Sequence, residues 1–556
     1  MKADIGTVES GGSSAFAPLR EPTFRRIWTA SLFSSFGQLI LGVGAAWEMT
    51  RLTSSPSMVA LVQTAMMLPL MLVALPAGAV ADMFDRRKIA LTGLGFSIAA
   101  AAALTAIAFF GYTTPWTLLL FCVLIGGGVA LYSPAWQASI GEQVSEIHLP
   151  AAIALGTISY NVARSIGPAL GAIILAAFGA QAAFAITAVF YVPLWLAFFA
   201  WQRKHVPSRL PPERIDRAIA SGGRYARHSP PIRTVMTRAL LFSMASASTA
   251  ALAPLIAKDL LGGNALVFGA LLCAQGIGAV IGAYFMHDLR SRMSTEWIVR
   301  WCTCITALAL VITGLSRSIP LTCAALFFAG GCNIVSYAQL NVSVQLSAPR
   351  WVTARALSLY SASLTGGIAI GAWFWGRIAG WQDVTFAIVA SAAAVAATLI
   401  LGWLLPLPRV EDEDTTSVDI GAEPEVGMAL TMRSGPVVVE VEYDVDPDQA
   451  REFYGVMMEV EKLRKRIGGF DWSISRDIAN PSIWVERYHC PTWGDYMRMR
   501  DRYTQADLAI QEQADSFNRT GQGRRVRRRL ERPYGSVRWK DNSPDFYKGT
   551  VDFIGP

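Results

Sequence analysis

Stretches of about 20 mainly apolar residues, the length an α-helix needs to cross a bilayer, recur along this chain. They lie near 29–50, 57–81, 88–110, 116–138, 152–178, 182–202, 237–258, 264–287, 297–315, 319–345, 354–376 and 383–405, twelve in all. In lipid each backbone N–H and C=O has to be bonded within its own segment, so such windows become helices packed against one another. Only 16% of the 556 residues are charged, against about a quarter in soluble chains. The fold class is therefore an all-α polytopic membrane protein with twelve transmembrane helices. Seven scattered cysteines, mostly inside these windows, form no disulfide framework or paired zinc motif.

The charges orient the bundle. Loops assigned to one face carry Arg86, Arg87, Lys88, Arg290, Arg292 and Arg350; the other face has Arg51, Lys258, Arg317 and Arg377. The more basic face is cytoplasmic, which puts both termini in the cytoplasm and the protein in the plasma membrane. Most of the net charge of +7 is accounted for this way, so nucleic acid is not an expected partner, whereas membrane lipid is. Residues 1–18 have no apolar core before a cleavage site, so the first span is expected to direct its own insertion.

A long basic loop, Arg203 to Arg238, divides the spans into two six-helix halves. Within it, 212–227 reads either as a helix lying on anionic lipid or as a solvated linker. An offset of 200 aligns Val144, Ala154, Tyr160, Gly167, Ala169 and Gly171 with Val344, Ala354, Tyr360, Gly367, Ala369 and Gly371. These identities fall in the fifth span of each half, as a duplicated transporter fold requires.

Between the second and third spans lies Gly78-Ala-Val-Ala-Asp82-Met-Phe-Asp85-Arg86-Arg87-Lys88. It resembles the corresponding loop of the major facilitator superfamily, with Gly78, Asp82, Arg86 and Arg87 on the pattern and Met83 and Asp85 off it. Phe24-Arg-Arg-Ile-Trp28, Asn161-Val-Ala-Arg164-Ser-Ile-Gly167-Pro168-Ala-Leu-Gly171 and Pro349 with Arg355-Ala-Leu-Ser-Leu-Tyr360 narrow the likeness to the enterobactin-exporter-like, or transmembrane secretion effector, branch. Gly167-Pro168 is similar to a fifth-span motif of exporters. The resemblance implies alternating access, with gating roles for Gly78, Asp82, Arg86, Arg87, Gly167 and Pro168, and antiport in exchange for protons is its expectation for coupling.

Ionisable residues at bilayer depth are few and usually face a cavity or a partner. Arg164 lies midway along the fifth span with Asn161 on the same face; a pathway residue and a structural ion pair are the two readings. Glu48 is either a proton-carrying carboxylate or half of a surface pair with Arg51. On the lining spans that the resemblance implies stand Gln38, Trp136, Gln137, Ser246, Asn333, Tyr337 and Asn341, as pathway groups or as interhelical hydrogen bonds. Their aromatic, weakly charged character suits a small amphipathic organic substrate. No phosphate-binding G-x-x-x-x-G-K-[ST] loop occurs, which leaves an ion gradient or another partner to drive transport.

The chain organises into a tail (1–20), a first bundle (21–203), a cytoplasmic loop (204–236), a second bundle (237–405), an acidic linker (406–433), a soluble domain (434–534) and a tail (535–556). In the soluble domain a strand over 437–443, a helix from Asp446 to Arg466, strands over 471–478 and 482–489, a helix from Thr492 to Phe517 and a strand over 524–530 give a βαββαβ, ferredoxin-like order. It resembles the dimeric α/β-barrel of antibiotic-biosynthesis monooxygenases. A homodimer covering the bare face of its sheet is expected, with His489, Trp493 and Tyr496 as a candidate pocket. Neither a cofactor nor a metal is expected, and the chain reads as no enzyme. The rivals are a membrane-anchored scaffold or signalling protein and a membrane-tethered monooxygenase-like enzyme.

Overall fold

The computed structural model describes residues 16–83, 85–202, 223–349, 352–407, 424, 426–428, 430–519 and 525–531; the side chains of 74–83, 146, 150, 157 and 354 lie outside that description. The described residues fall into two compact units, one made of those within 1–219, 234–343 and 357–407, the other of those within 220–233, 344–356 and 408–556.

In the membrane unit 11 helices are long and apolar enough to cross a bilayer. They are α1 (Pro22–Leu52), α2 (Pro56–Met83), α3 (Arg86–Phe109), α4 (Pro115–Gln143), α5 (Leu149–Ala200), α6 (Pro230–Ser246, carried on by short turns to Leu260), α7 (Ala265–Arg292), α8 (Thr295–Leu315), α9 (Ile319–Ser347), α10 (Thr353–Trp381) and α11 (Val384–Leu404). Side chains with an oxygen near Cβ start several of them by accepting orphan N–H bonds. Asp85 accepts from Arg87 N, Thr114 from Thr117 N, Asn264 from Leu266 and Val267 N, and Asp383 from Phe386 N.

Two adjustments to the expected spans follow. The windows 152–178 and 182–202 fall on the two arms of α5, which meet at Gly179, whose φ of 79° and ψ of 178° are non-helical. That φ suits glycine, which has no Cβ to clash. Contacts with α1 give the sense of the two arms. Leu39 meets Gly167 and Val43 meets Gly171, whereas Gly37 meets Thr187 and Gly44 meets Ala183. The first pairing advances along both chains and the second runs backwards along α5, so the chain reverses at Gly179 and α1 packs on both arms.

The second adjustment concerns the central loop. The helix of the seventh window begins at Pro230, so Arg233 and Arg238 sit within α6 rather than in the loop. Proline is favoured in the first helical turn, and Arg238 has a carboxylate waiting for it, described below. Residues 203–222, most of the stretch expected to lie on lipid, are outside the described residues; 223–228 are helical.

The second unit contains an antiparallel sheet of order β2-β3-β1-β4, with β1 Val437–Asp444, β2 Phe470–Arg476, β3 Ile483–Cys490 and β4 Arg525–Leu530. Its helices are α12 (Ala450–Ile467), α13 (Trp493–Arg500) and α14 (Gln505–Asp515). The single helix expected over 492–517 is two, because Thr504 and Asp507 form a capping box that starts a new helix. Val437, Val439, Val441 and Tyr443 bury one face of β1 against Phe453, Met457, Val460 and Leu463 of α12.

Through that apolar layer runs a buried ion pair. Arg464 donates to both carboxylate oxygens of Glu486 (2.8 and 3.2 Å) and to Gln511 Oε1 (2.6 Å), while Trp472 and Tyr443 also donate to Glu486. With side chains 3% and 0% exposed, the pair offsets its desolvation through the four hydrogen bonds that Glu486 accepts and the three that Arg464 donates. Burial opposes the Arg464 charge, but Glu486 outweighs it and raises the guanidinium pKa further.

The opposite face of the sheet is not the bare apolar surface that called for a second copy. Glu440 pairs with Arg529 (3.0 Å) and Glu442 with Arg527 (3.8 Å) across β1 and β4. His489 points to this face too, with Nε2 3.3 Å from Glu531, while Tyr496 is buried in the core on the other side. Alternation along β3 separates them, so the expected His489, Trp493 and Tyr496 pocket does not assemble.

Candidate functional site

Where two transmembrane backbones come close, small residues allow it. In the first half, α5 packs on α7 of the second half. A Cβ at Gly276 would stand 2.8 Å from the Arg164 carbonyl, Ser165 Oγ donates to Gly276 O (3.3 Å), and Cys273 Sγ to Ser165 O (3.4 Å). A second seam joins α2 to α10, where Ser57 donates to Gly376 O (3.0 Å) and Thr64 to Ala369 O (2.9 Å). Lys258 Nζ donates to Thr50 O (2.7 Å), and Trp47 stacks on Phe268 at 5.8 Å. These last contacts bring the halves together at the end of the bundle that holds Thr50, Ser57 and Lys258.

At the other end, each of the main basic side chains bonds within its own half. Arg86 donates to Ala138 O (2.7 Å) and Glu142 (2.9 Å), and Arg87 to the carbonyls of Phe198 (3.0 Å) and Phe199 (2.5 Å), the last turn of α5. In the second half Glu296 holds Arg238 and Arg300, and Arg300 donates to Gly402 O (2.8 Å) in the last turn of α11. A cation on a helix's final carbonyls complements its dipole, and both halves place one there.

The halves also share an inner motif. Ser34 and Tyr132 hydrogen-bond at 3.1 Å between α1 and α4; Ser246 and Tyr337 hydrogen-bond at 3.1 Å between α6 and α9. Tyr160 lies near Tyr132, and Tyr360 donates to the Tyr337 carbonyl at 2.7 Å. Tyr160 and Tyr360 are the pair aligned by the internal repeat.

Arg164 stands beside this motif, half-buried and roughly midway between Leu149 and Gly179. Its charge acts on the Tyr337 hydroxyl of the other half. Among the described residues the guanidinium has neither a carboxylate nor a hydrogen-bond acceptor.

The other expected residues scatter. Gly78 and Asp82 lie on α2, where the Asp82 side chain is outside the description. Gly167 and Pro168 are buried, Gly167 against Leu39 of α1. Glu48 pairs with Arg51 at 3.1 Å, the surface arrangement. Trp136 packs edge-on to Phe198 at 6.3 Å, and exposed Gln137 donates to Ser133 (3.4 Å). Buried Asn333 accepts from Thr306 (3.4 Å), an interhelical bond. Gln38, Asn161 and Asn341 are half-buried. Sequence reading missed Ser34, Tyr132 and Glu296. For the first two the signal was available as a serine and a tyrosine recurring in the first and fourth spans of each half.

A family model described as transmembrane secretion effector matches residues 13–534. The staphyloferrin A transporter of Staphylococcus aureus is 24% identical over 261 residues, 46% of this chain and 65% of that protein. The multidrug efflux pump Tap of Mycobacterium bovis is 27% identical over 39% of this chain and 53% of the pump. The chain thus spans between about half and two thirds of the length of these two relatives. The enterobactin exporter EntS of Escherichia coli is 27% identical over 410 residues, 70% of this chain and 92% of the exporter. Among solved structures, an auto-inhibited peptide transporter of the POT family superposes with a TM-score of 0.58 at 12% identity, over 70% of this chain and 97% of the other. A bacterial homologue of the lysosomal transporter Spinster, inward-facing and occupied, does so with 0.55 at 13%, over 70% and 95%.

Proposed function

We propose, from the premise that this chain belongs to the transmembrane secretion effector family of the major facilitator superfamily, that it exports a small amphipathic organic molecule across the plasma membrane by alternating access. The observation that carries this is the paired architecture. Two halves hold the same Ser–Tyr bond around a shared centre, at 3.1 Å in each, and one charged residue, Arg164, faces it. The reversal at Gly179 counts as two crossings, which makes twelve in two sets of six, with both termini cytoplasmic. The end closed by Lys258 and Thr50 is then the outer one, and the conformation is inward-facing.

In this reading Asp82 and Gly78, with Arg86 and Arg87, bias the inward and outward states, and Gly167 and Pro168 shape the α1–α5 seam. Asn161, Arg164, Gln38, Tyr337 and Asn341 border the pathway. Asn333 and Trp136 hold helices together, and Gln137 lies on an exposed face. Proton-coupled antiport is part of the proposal, with Glu48 at the outer end as the carboxylate near a loop. A ferredoxin-like C-terminal domain acts as a regulatory attachment. Self-association through the sheet's ion-paired outer face, which the sequence suggested, remains part of the proposal. The family is one of transporters, which leaves the monooxygenase-like and scaffold readings without support.

Inside-out vesicles carrying the protein test this. With a panel of labelled amphipathic organic molecules and a pH gradient, at least one should accumulate saturably and be released by a protonophore. Uptake equal to that of vesicles without the protein, for all members, contradicts the proposal.

A further inference from the structure

A cation at bilayer depth is costly even on the lenient insertion scales, and structural arginines recover such costs from a fixed carboxylate or helix-end carbonyls. Arg86, Arg87, Arg238 and Arg300 do so here. Arg164 does not. Its own backbone is fixed at the α5–α7 seam, where Gly276 allows the two helices to touch. A side chain so mounted is positioned, and nothing among the described residues neutralises it.

The internal repeat adds a second, independent observation. The offset that matches Tyr160 with Tyr360 places Arg164 opposite Leu364. Since the second half folds with leucine there, the fold does not require a cation at this place, and the charge answers to something else. Its surroundings say what. Tyr160 is one turn earlier on the same face and 49% exposed, which offers an aromatic surface beside the guanidinium. Across the seam the Tyr337 hydroxyl, held by Ser246, lies within the field of that charge. A guanidinium with its forked donors, a hydroxyl and an open phenol ring together fit an oxyanion attached to an aromatic group.

We propose that Arg164, with Tyr337 and Tyr160, forms the anchoring site for an aromatic organic anion, its carboxylate on Arg164 and the Tyr337 hydroxyl and its ring against Tyr160. The site rests on the transport reading above and deepens it to a substrate class. A bound anion supplies the partner that the guanidinium lacks among the described residues, so binding is stronger for charged than for neutral molecules of one shape.

The probes are 1-naphthoate and its neutral isostere 1-naphthamide, titrated into the purified full-length protein in nanodiscs at pH 7.5 and read by calorimetry. Naphthoate should bind at least tenfold tighter than naphthamide. Arg164→Leu, which copies the other half, should erase the difference; Arg164→Lys should keep part of it, because an ammonium cannot make the forked contact. Tyr337→Phe should weaken naphthoate about threefold and leave naphthamide unchanged. Each variant must elute as the monodisperse wild-type species, and Arg164→Lys and Tyr337→Phe carry the test should Arg164→Leu fail to do so. Equal affinity for the two probes, no naphthoate binding to the wild type, or naphthoate binding unaltered in all three variants overturns the proposal. Vesicle uptake of another panel member alongside any of those results would sink the anion site and leave the transport reading standing. Anion binding as expected with no solute moved would do the reverse.

Discussion

The two halves of the membrane unit differ less in their ends than in their middle. Each half anchors an arginine on the last carbonyls of a neighbouring helix, Arg87 on α5 and Arg300 on α11, and each ties a serine to a tyrosine near the centre. At mid-depth the match fails, with Arg164 in one half and Leu364 in the other. Features that both halves keep are what a six-helix bundle needs to stand in lipid. A feature that one half alone carries, at a cost in free energy, is where a task specific to this protein resides.

The largest expected effect comes from removing that difference. Arg164→Leu makes the halves alike and should lower vesicle export at least tenfold at equal expression, whereas the mirror change Leu364→Arg should lose protein through misinsertion, with a penalty of about 3 kcal/mol. Export retained by Arg164→Leu would break the comparison.

Next in size is the ion cluster of the second half. Glu296→Gln strands Arg238, whose side chain is 6% exposed, and should lower the unfolding free energy by about 3 kcal/mol. Glu48→Gln, which strands only Arg51 at 62% exposure, should cost less than about 1 kcal/mol. Thermal denaturation in detergent compares them, and equal losses would show that the cluster is as dispensable as a surface pair.

Smaller still, Ser34→Ala and Ser246→Ala each remove one neutral hydrogen bond, worth about 1 kcal/mol. If the bonds are equivalent, the two melting shifts should agree. The halves should nonetheless separate in transport, because only Ser246 holds the hydroxyl that faces Arg164.

Much of this was legible in the sequence, for identifiable reasons. Apolar windows report helices directly, since lipid leaves the backbone no other choice, and the alternation of Val437 to Tyr443 reports the strand β1 as directly. The break between the windows 152–178 and 182–202 was legible too, and the chain reverses there, at Gly179; the early start of α6 was not, because window averages respond to residues in bulk and cannot weigh one ion pair between Arg238 and Glu296. Arg164 stood out because charge is rare at that depth. Ser34 and Tyr132 did not, because a hydroxyl pair changes hydropathy too little to mark it. His489 was misplaced beside Tyr496 by nearness in sequence, which a strand's alternation overrides.

The smallest effect concerns the second unit, which has no duplicate. Burial pushes the Cys490 thiol up to about 12, with nearby Asp495 adding to it. Maleimide at pH 8 should leave Cys490 unmodified in the folded protein and label it in denaturant. Arg464 stays charged throughout, since its pKa is raised. The stability it contributes is present at all pH values below the unfolded arginine pKa and fades only in strong alkali, so between pH 6 and 9 Arg464 should give the unit no pH-dependence of its own.

Alternation between the halves is tested most directly by holding them together where they meet. Cysteines replacing Trp47 and Phe268, whose rings stack at 5.8 Å, in a protein otherwise free of cysteine, can be bridged by a short cleavable crosslinker. Bridging should abolish uptake into inside-out vesicles, and cleavage should restore it. Undiminished uptake by fully bridged protein would contradict alternating access.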